Sequence, residues 1–207
     1  MGTRSISRLI GLALVLMLAG CTLPNATEST PASSVVQISE QTVIGWAADG
    51  DVTEEEYAHS ATVGPMRLWW SNDAKFLYMA FEADTRGMVA IGLDPEDRMQ
   101  GANYLIGFIN GDQVQLFDAY GTAPTGNVHP LDTDLGGSND IVAFAGVEEN
   151  NTTRFEVQLP LDSGDTYDKP LHPGESYPII AAVSDVDDFS TYHTARASGQ
   201  ITLDIVR

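Results

Sequence analysis

From about residue 66 onward, short apolar runs alternate with clusters of Gly, Pro, Asn, Asp and Ser. The runs are Met66–Trp70, Phe76–Ala83, Met88–Leu93, Tyr104–Ile109, Val114–Ala119, Ile141–Ala145, Arg154–Leu159, Tyr177–Ser184 and Ile201–Val206. Arg154-Phe155-Glu156-Val157-Gln158-Leu159 alternates strictly, as a strand with one wet face must. Phe76 to Phe81 is rich in aromatics, a strand preference. Asn110-Gly111 lies between two apolar runs, and both residues tolerate the positive φ of a type I′ turn, which predicts a hairpin. No window sustains helical periodicity. Only Thr53–Tyr57 could begin a helical turn, with its acidic groups near the positive end of the helix. Nine or so short strands at this spacing predict an all-β fold, an antiparallel β-sandwich of about nine to eleven strands. No internal repeat is present.

Upstream of the strands the pattern changes twice. Arg4 and Arg8 precede an apolar run from Leu9 to Gly20. About a dozen residues is too short for a membrane span, which takes roughly 20, and suits the apolar segment of an export signal. The run ends in Leu18-Ala19-Gly20-Cys21, which resembles the lipobox of prokaryotic lipoproteins, where the thiol is diacylated and the peptide is cut before it. Cys21 is the only cysteine. An internal disulfide is therefore excluded, and lipid attachment at Cys21 is the role the resemblance implies. An ordinary secretory signal with a chance cysteine is the alternative. Thr22 to about Gln41 is rich in Ser, Thr and Pro and cannot bury enough apolar surface to fold, which predicts a flexible tether. The expected organisation is a signal peptide over 1–20, a tether over 21–41 and a folded domain over 42–207. The mature protein is expected on the extracytoplasmic face of a membrane, periplasmic or at the cell surface. Asn25-Ala26-Thr27 and Asn150-Asn151-Thr152 match a glycosylation pattern, which carries no weight in a bacterial lipoprotein.

Charge narrows the partners. The chain has 29 acidic and 10 basic residues, and two of the basic ones, Arg4 and Arg8, lie in the leader. The remaining eight leave a net charge of about −21. A field of that sign repels nucleic acid and anionic headgroups. It suits docking of a basic partner protein or collection of cations. The plainer reading is a solubility or high-salt adaptation, in keeping with only two lysines, Lys75 and Lys169. Asp94-Pro95-Glu96-Asp97 and Asp185-Val186-Asp187-Asp188 offer oxygen atoms of the kind Ca²⁺ takes. Neither has the spacing of an EF-hand loop, and both read as solvated acidic turns. There is no Gly-x-Ser-x-Gly, His-Glu-x-x-His or phosphate-cradling Gly-Lys-Ser/Thr segment. His59, His129, His172 and His193 all lie outside helical spacing of one another.

Three segments remain: Asp49–Tyr57, Gly87–Asn103 and Phe189–Gly199. The second reads Gly-Met-Val-Ala-Ile-Gly-Leu, then Asp-Pro-Glu-Asp, then Met99-Gln100-Gly101-Ala102-Asn103. Pro160-Leu161-Asp162-Ser163-Gly164-Asp165 follows, and His193-Thr194-Ala195-Arg196 lies near the end. Together these resemble the DOMON family, immunoglobulin-like β-sandwich domains of which many bind haem b. In haem-binding members the methionine of Met-x-Gly-Ala and the histidine of the last segment are the axial iron ligands. Carried over by position, these are Met99 and His193, 94 positions apart. Arg196 would face a haem propionate or a structural carboxylate. Three positions depart from the pattern: Met88 stands where tryptophan is common, Asn103 where Asp is usual and Ala197 where Gly follows the arginine. Met88 is also a second thioether, which leaves open which methionine would ligate.

The resemblance implies a membrane-tethered haem b domain that carries single electrons to or from a basic redox partner. An imidazole and a thioether suit electron transfer, and two protein ligands leave no open iron position for substrate, so no enzyme activity is expected. The alternative is a module that binds carbohydrate or another small ligand without haem. Trp46, Trp69, Trp70 and Tyr120 are the stacking faces it would use. Trp69 and Trp70 are adjacent in a strand and must point to opposite sides, so at least one belongs to a core. For a purely structural module the sequence offers no positive sign.

Overall fold

Ten strands and one short helix make up the computed structural model: β1 (His59–Val63), β2 (Met66–Asn72), β3 (Phe76–Ala83), β4 (Val89–Leu93), β5 (Asn103–Asn110), β6 (Gln113–Tyr120), α1 (Asp132–Leu135), β7 (Ala143–Glu149), β8 (Thr152–Pro160), β9 (Ser176–Val183) and β10 (Ala195–Thr202). The structure describes residues 45–53 and 55–206. The expected signal peptide, Cys21 and the tether lie outside the described residues. The strands form two five-stranded sheets, ordered β1-β2-β3-β8-β7 and β10-β9-β4-β5-β6. Every pairing is antiparallel. The chain is a β-sandwich, as its pattern predicts. Among the described residues no helix is long and apolar enough to cross a membrane.

Alternation within the strands builds the core. From the first sheet, Met66, Leu68, Trp70, Leu77, Met79, Phe81, Phe155 and Val157 point inward. They meet Val89, Ile91, Leu105, Ile179 and Ile201 of the second. Phe81 and Phe155 stack with centroids 5.9 Å apart. The Phe155 ring fits only because Gly107 and Gly146 face it. A Cβ at either position would come within 2.6 or 2.7 Å of the ring. Trp70 enters this core and donates its indole N–H to the Thr202 carbonyl at 2.9 Å. Its neighbour Trp69 packs with Trp46, Tyr57 and Tyr78 on the other side of the sheet. There the N-terminal segment is pinned by fully buried Glu156, which accepts from the Tyr57 hydroxyl and the Gly50 N–H, each at 2.6 Å.

Several local expectations shift. β5 and β6 do form a hairpin, but Asn110 pairs with Gln113, so Gly111-Asp112 is the loop. Only Gly111 has positive φ (61°), which is the arrangement of a type II′ turn rather than the expected I′. The type I′ pattern occurs instead at Asn150-Asn151, with φ of 49° and 66°, between the paired Glu149 and Thr152. In place of the expected helical turn at Thr53–Tyr57, the described residues there show no helix, and the Glu56 N–H donates to the Thr53 carbonyl at 3.3 Å. β1 and α1 were not expected. The final strand lies at Ala195–Thr202 instead of Ile201–Val206. Ala195–Gln200 has few large apolar groups, and pairing with β9 along eight positions makes it a strand.

Phe155→Ala is expected to lower stability by about 3–5 kcal/mol. Urea unfolding of wild type and variant checks this, with the midpoint falling and the slope unchanged.

Candidate functional site

The second sheet is apolar on its outer face as well. Met88, Ala90, Tyr104, Ile106, Phe108 and Ala119 are buried there in a cluster separate from the core between the sheets. Three loops rise around this floor: 94–102, 121–130 and 184–194. They enclose a cavity of about 760 Å³, within the range of small-molecule and cofactor sites.

All four of the cavity residues singled out from the sequence line it: Met88, Met99, His193 and Arg196. Met88 is part of the floor and is 5 % exposed. Met99 and His193 are half-buried on the loops, and Arg196 is exposed at the rim. The Arg196 guanidinium lies 3.5 Å from His193 Nε2, a weak contact in which the imidazole nitrogen can only accept.

The Met99 loop is held tightly. Asp94 and Arg98 adopt left-handed φ values of 49° and 55°, which non-glycine residues enter only where the surroundings enforce it. The enforcing contacts are Glu96 N–H to the Gln100 carbonyl at 2.8 Å, Gly101 N–H to the Gly121 carbonyl at 2.8 Å and Gly121 N–H to the Ala102 carbonyl at 2.9 Å. Lys169 reaches in from below to the Asp94 carboxylate at 3.0 Å. A Cβ at position 121 would stand 1.8 Å from the Met99 carbonyl oxygen, so glycine is required there. On the opposite wall, Thr194 N–H donates to the Val183 carbonyl at 2.7 Å and fixes the strand entry beside His193.

Two residues the sequence did not single out also line the cavity. His129 sits between Tyr104 and Phe189, with centroids 5.8 and 5.2 Å away. Its Nδ1 is buried without a hydrogen-bond partner, and burial holds its pKa below the ordinary value. In sequence it is a lone histidine before a proline, and no spacing ties it to the other lining residues. The second is Arg98. Among the described residues Arg67, Arg86 and Arg154 each pair with a carboxylate. Arg98 and Arg196 have no such pair, and both line this cavity. Trp46, Trp69, Trp70 and Tyr120 do not line it: the tryptophans pack in the first sheet's two faces, and Tyr120 stacks on Tyr167 at 5.4 Å.

The fold and site define a β-sandwich with a cavity on the outer face of one sheet. The DOMON domain model matches residues 63–184, more than half of the chain, and the chain belongs to that family. Met88 and Met99 fall within the matched stretch, whereas His193 and Arg196 follow it. No curated protein matches the chain. Among solved structures it is similar to the cytochrome b domain of pyranose dehydrogenase from Coprinopsis cinerea, at 13 % identity and a TM-score of 0.47 over 66 % of this chain and 75 % of that one. It is also similar to a family 9 carbohydrate-binding module from Caldicellulosiruptor kristjanssonii. The glucose complex of that module gives 14 % identity and a TM-score of 0.39 over 77 % of this chain and 92 % of that one. Its cellotriose complex gives 15 % and 0.41 over 77 % and 90 %. At these values the likeness speaks to neither ligand nor activity.

The pH dependence of stability tests the environment of His129. Its folded pKa lies below the unfolded value of about 6.5, so under mildly acid conditions the unfolded chain binds more protons. The stabilisation is complete above about pH 6.5 and is lost as the pH falls through the folded pKa. His129→Phe is therefore expected to flatten the acid limb between about pH 7 and 5 by up to about 1.4 kcal/mol per pH unit. Urea melts of both proteins across that range measure the difference.

Proposed function

We propose that the cavity is a haem b site in which Met99 and His193 are the axial ligands, and that the domain carries single electrons outside the cytoplasm. The observation that carries this reading is that a thioether and an imidazole 94 positions apart line one cavity over an apolar floor. The residues present fit the group. A flat apolar macrocycle matches the floor of Ala90, Tyr104 and Ile106. Arg98 and Arg196, free of carboxylate partners, match propionates better than they match a neutral sugar. When bound in this way, a haem supplies reversible one-electron chemistry, with methionine ligation favouring the ferrous state and raising the potential.

The chain's own part is to hold and to shield. The contacts around Gly101 and Gly121 present Met99 at a defined height above the sheet. The Phe117, Phe189 and His129 rings, 5.1 and 5.2 Å apart in sequence, close one side against water. The acidic turns Asp94–Asp97 and Asp185–Asp188 run directly into the Met99 and Phe189 loops, which supports docking of a basic redox partner at the cavity mouth. The lipobox-like Leu18–Cys21 supports a tether through lipid on Cys21. Met88, buried in the floor, is read as part of the apolar surface, with Met99 as the ligand.

The test is the ultraviolet–visible spectrum of the full chain, exported with haem available and purified in detergent, oxidised and then reduced. Sharp reduced α and β bands of a low-spin b-type haem are expected, lost in Met99→Ala and in His193→Ala and retained in Met88→Leu. A well-folded protein that stays colourless and takes up no added haem overturns the reading and leaves the carbohydrate module in its place.

A further inference from the structure

At the end of the sandwich formed by the start of β5 and the end of β6, three carboxylates converge and a fourth, Asp132, is buried near them. Asp118 occupies an inward position of β6, opposite Leu105, where the pattern of the strand calls for an apolar residue. A carboxylate oxygen from each of Asp118, Asp140 and Asp168 lies within 4.8 Å of the others. Two ligands of one calcium ion stand at most about 5 Å apart, given bond lengths of about 2.3–2.6 Å. Asp118 is 4 % exposed and Asp168 9 %. Asp132, beside the bridge between Leu131 and Ala119, is fully buried, and neither of its oxygens has a hydrogen-bond partner. Asp118 Oδ1 and Asn103 Oδ1 are buried and unpartnered as well. Asn103 donates its amide N–H to Asp168.

Among the described residues no cationic side chain neutralises this group, and its hydrogen bonds are few: Asp118 accepts from the Asp140 N–H at 2.8 Å and Asp140 from the Ser138 hydroxyl at 3.1 Å. Among the described residues none of these aspartates is in an ion pair, and the neighbouring Lys169 is committed to Asp94 and Glu96. Burial first and mutual repulsion second push the carboxyls up, Asp118 to about 6, Asp132 to about 7 and Asp168 to about 8. Buried carboxylates persist where they are paired or coordinate a metal. The contrast is the other acidic group, Asp49, Glu56 and Glu156, where Tyr57, Gly50 and Asp49 satisfy buried Glu156 by hydrogen bonds.

We propose that Asp118, Asp140 and Asp168, with the buried and unpartnered Asp132 near them, form a site for a hard divalent cation, Ca²⁺, that staples this end of the sandwich. The donor set is all oxygen, with no imidazole or thiolate, which selects against zinc and copper. Carboxylates contributed by β6, α1 and two loops give the adjustable, high-number coordination that calcium accepts and magnesium does not. The second loop is already ordered toward the site: Asp165 accepts from the Tyr167 N–H at 2.9 Å and from the Ser138 hydroxyl at 2.9 Å. The site is independent of the haem reading.

The experiment uses the full chain, stripped with EDTA and passed into chelator-free buffer. Adding Ca²⁺ is expected to raise Tm by about 5–10 °C at saturation, with a much smaller effect of Mg²⁺. Tb³⁺ is expected to bind with tyrosine-sensitised luminescence from Tyr120 and Tyr167, and Ca²⁺ to displace it. The double variant Asp118→Asn, Asp168→Asn is expected to lose both responses while its metal-free Tm equals or exceeds that of the wild type, because two repelling charges are gone. That combination separates ligation from misfolding. A wild-type Tm indifferent to Ca²⁺ at about 10 mM, far above the range of known sites, sinks the proposal, as does a response that survives in the double variant. An equal response to Mg²⁺ overturns the assignment to calcium.

Discussion

A sheet that is apolar on both faces must be covered on both, and this requirement shapes the molecule. β4 is buried along its whole length. Its Val89, Ile91 and Leu93 meet the first sheet, while Met88 and Ala90 belong to the outer cluster. The inner face is covered by five strands. Among the described residues three loops rise over the outer face, and they border a space instead of filling it. The cavity is thus a consequence of incomplete cover over an apolar surface, and water fits such a surface poorly. The Met99 loop is tightly constrained, since left-handed Asp94 and Arg98 and the close passage of Gly121 against the Met99 carbonyl leave it little freedom.

Charge is distributed with the same economy. Glu82, 5 % exposed, sits between Arg67 and Arg154 at 2.7 Å from each. Glu156 is satisfied by hydrogen bonds. Both are buried carboxylates whose needs are met from within the chain. The aspartates at the end of β6 differ, because among the described residues no cationic side chain pairs with them. Among the described residues, Arg98 and Arg196 stand at the cavity without a carboxylate in ion-pair range.

Most strands were legible because one-sided burial imposes a period of two, and Phe76–Ala83 and Arg154–Leu159 display it plainly. β10 was misplaced because an edge strand held by backbone pairing with β9 needs few apolar side chains. The hairpin after β5 was legible, but not its turn type. Asn110 and Gly111 both tolerate positive φ, and only the register of Asn110 against Gln113 decides which residues form the loop. Met99, His193, Arg196 and Met88 were named through a family resemblance. His129 was not, for a lone histidine in a polar loop gives no signal of what it will face. The tryptophans suggested as stacking faces lie elsewhere, since strand alternation sends Trp69 and Trp70 to opposite faces of the first sheet.

What the sequence determined by itself is the class of fold and the chemistry on offer. Periodicity, turn residues and the absence of helical spacing are local properties, and each requires only a few neighbouring residues. The tertiary structure alone decided which distant groups meet. Met99 and His193 come to one cavity because β4, β5 and β9 are adjacent in the second sheet and the loops after the antiparallel β4 and β9, which leave at opposite ends, both reach over the same outer face. Asp118, Asp140 and Asp168 come together, with Asp132 near them, because a bridge from Leu131 to Ala119 and the loop after β8 converge on an inward position of β6. Such meetings depend on the closure of long loops and on strand order, and no local pattern along the chain encodes either.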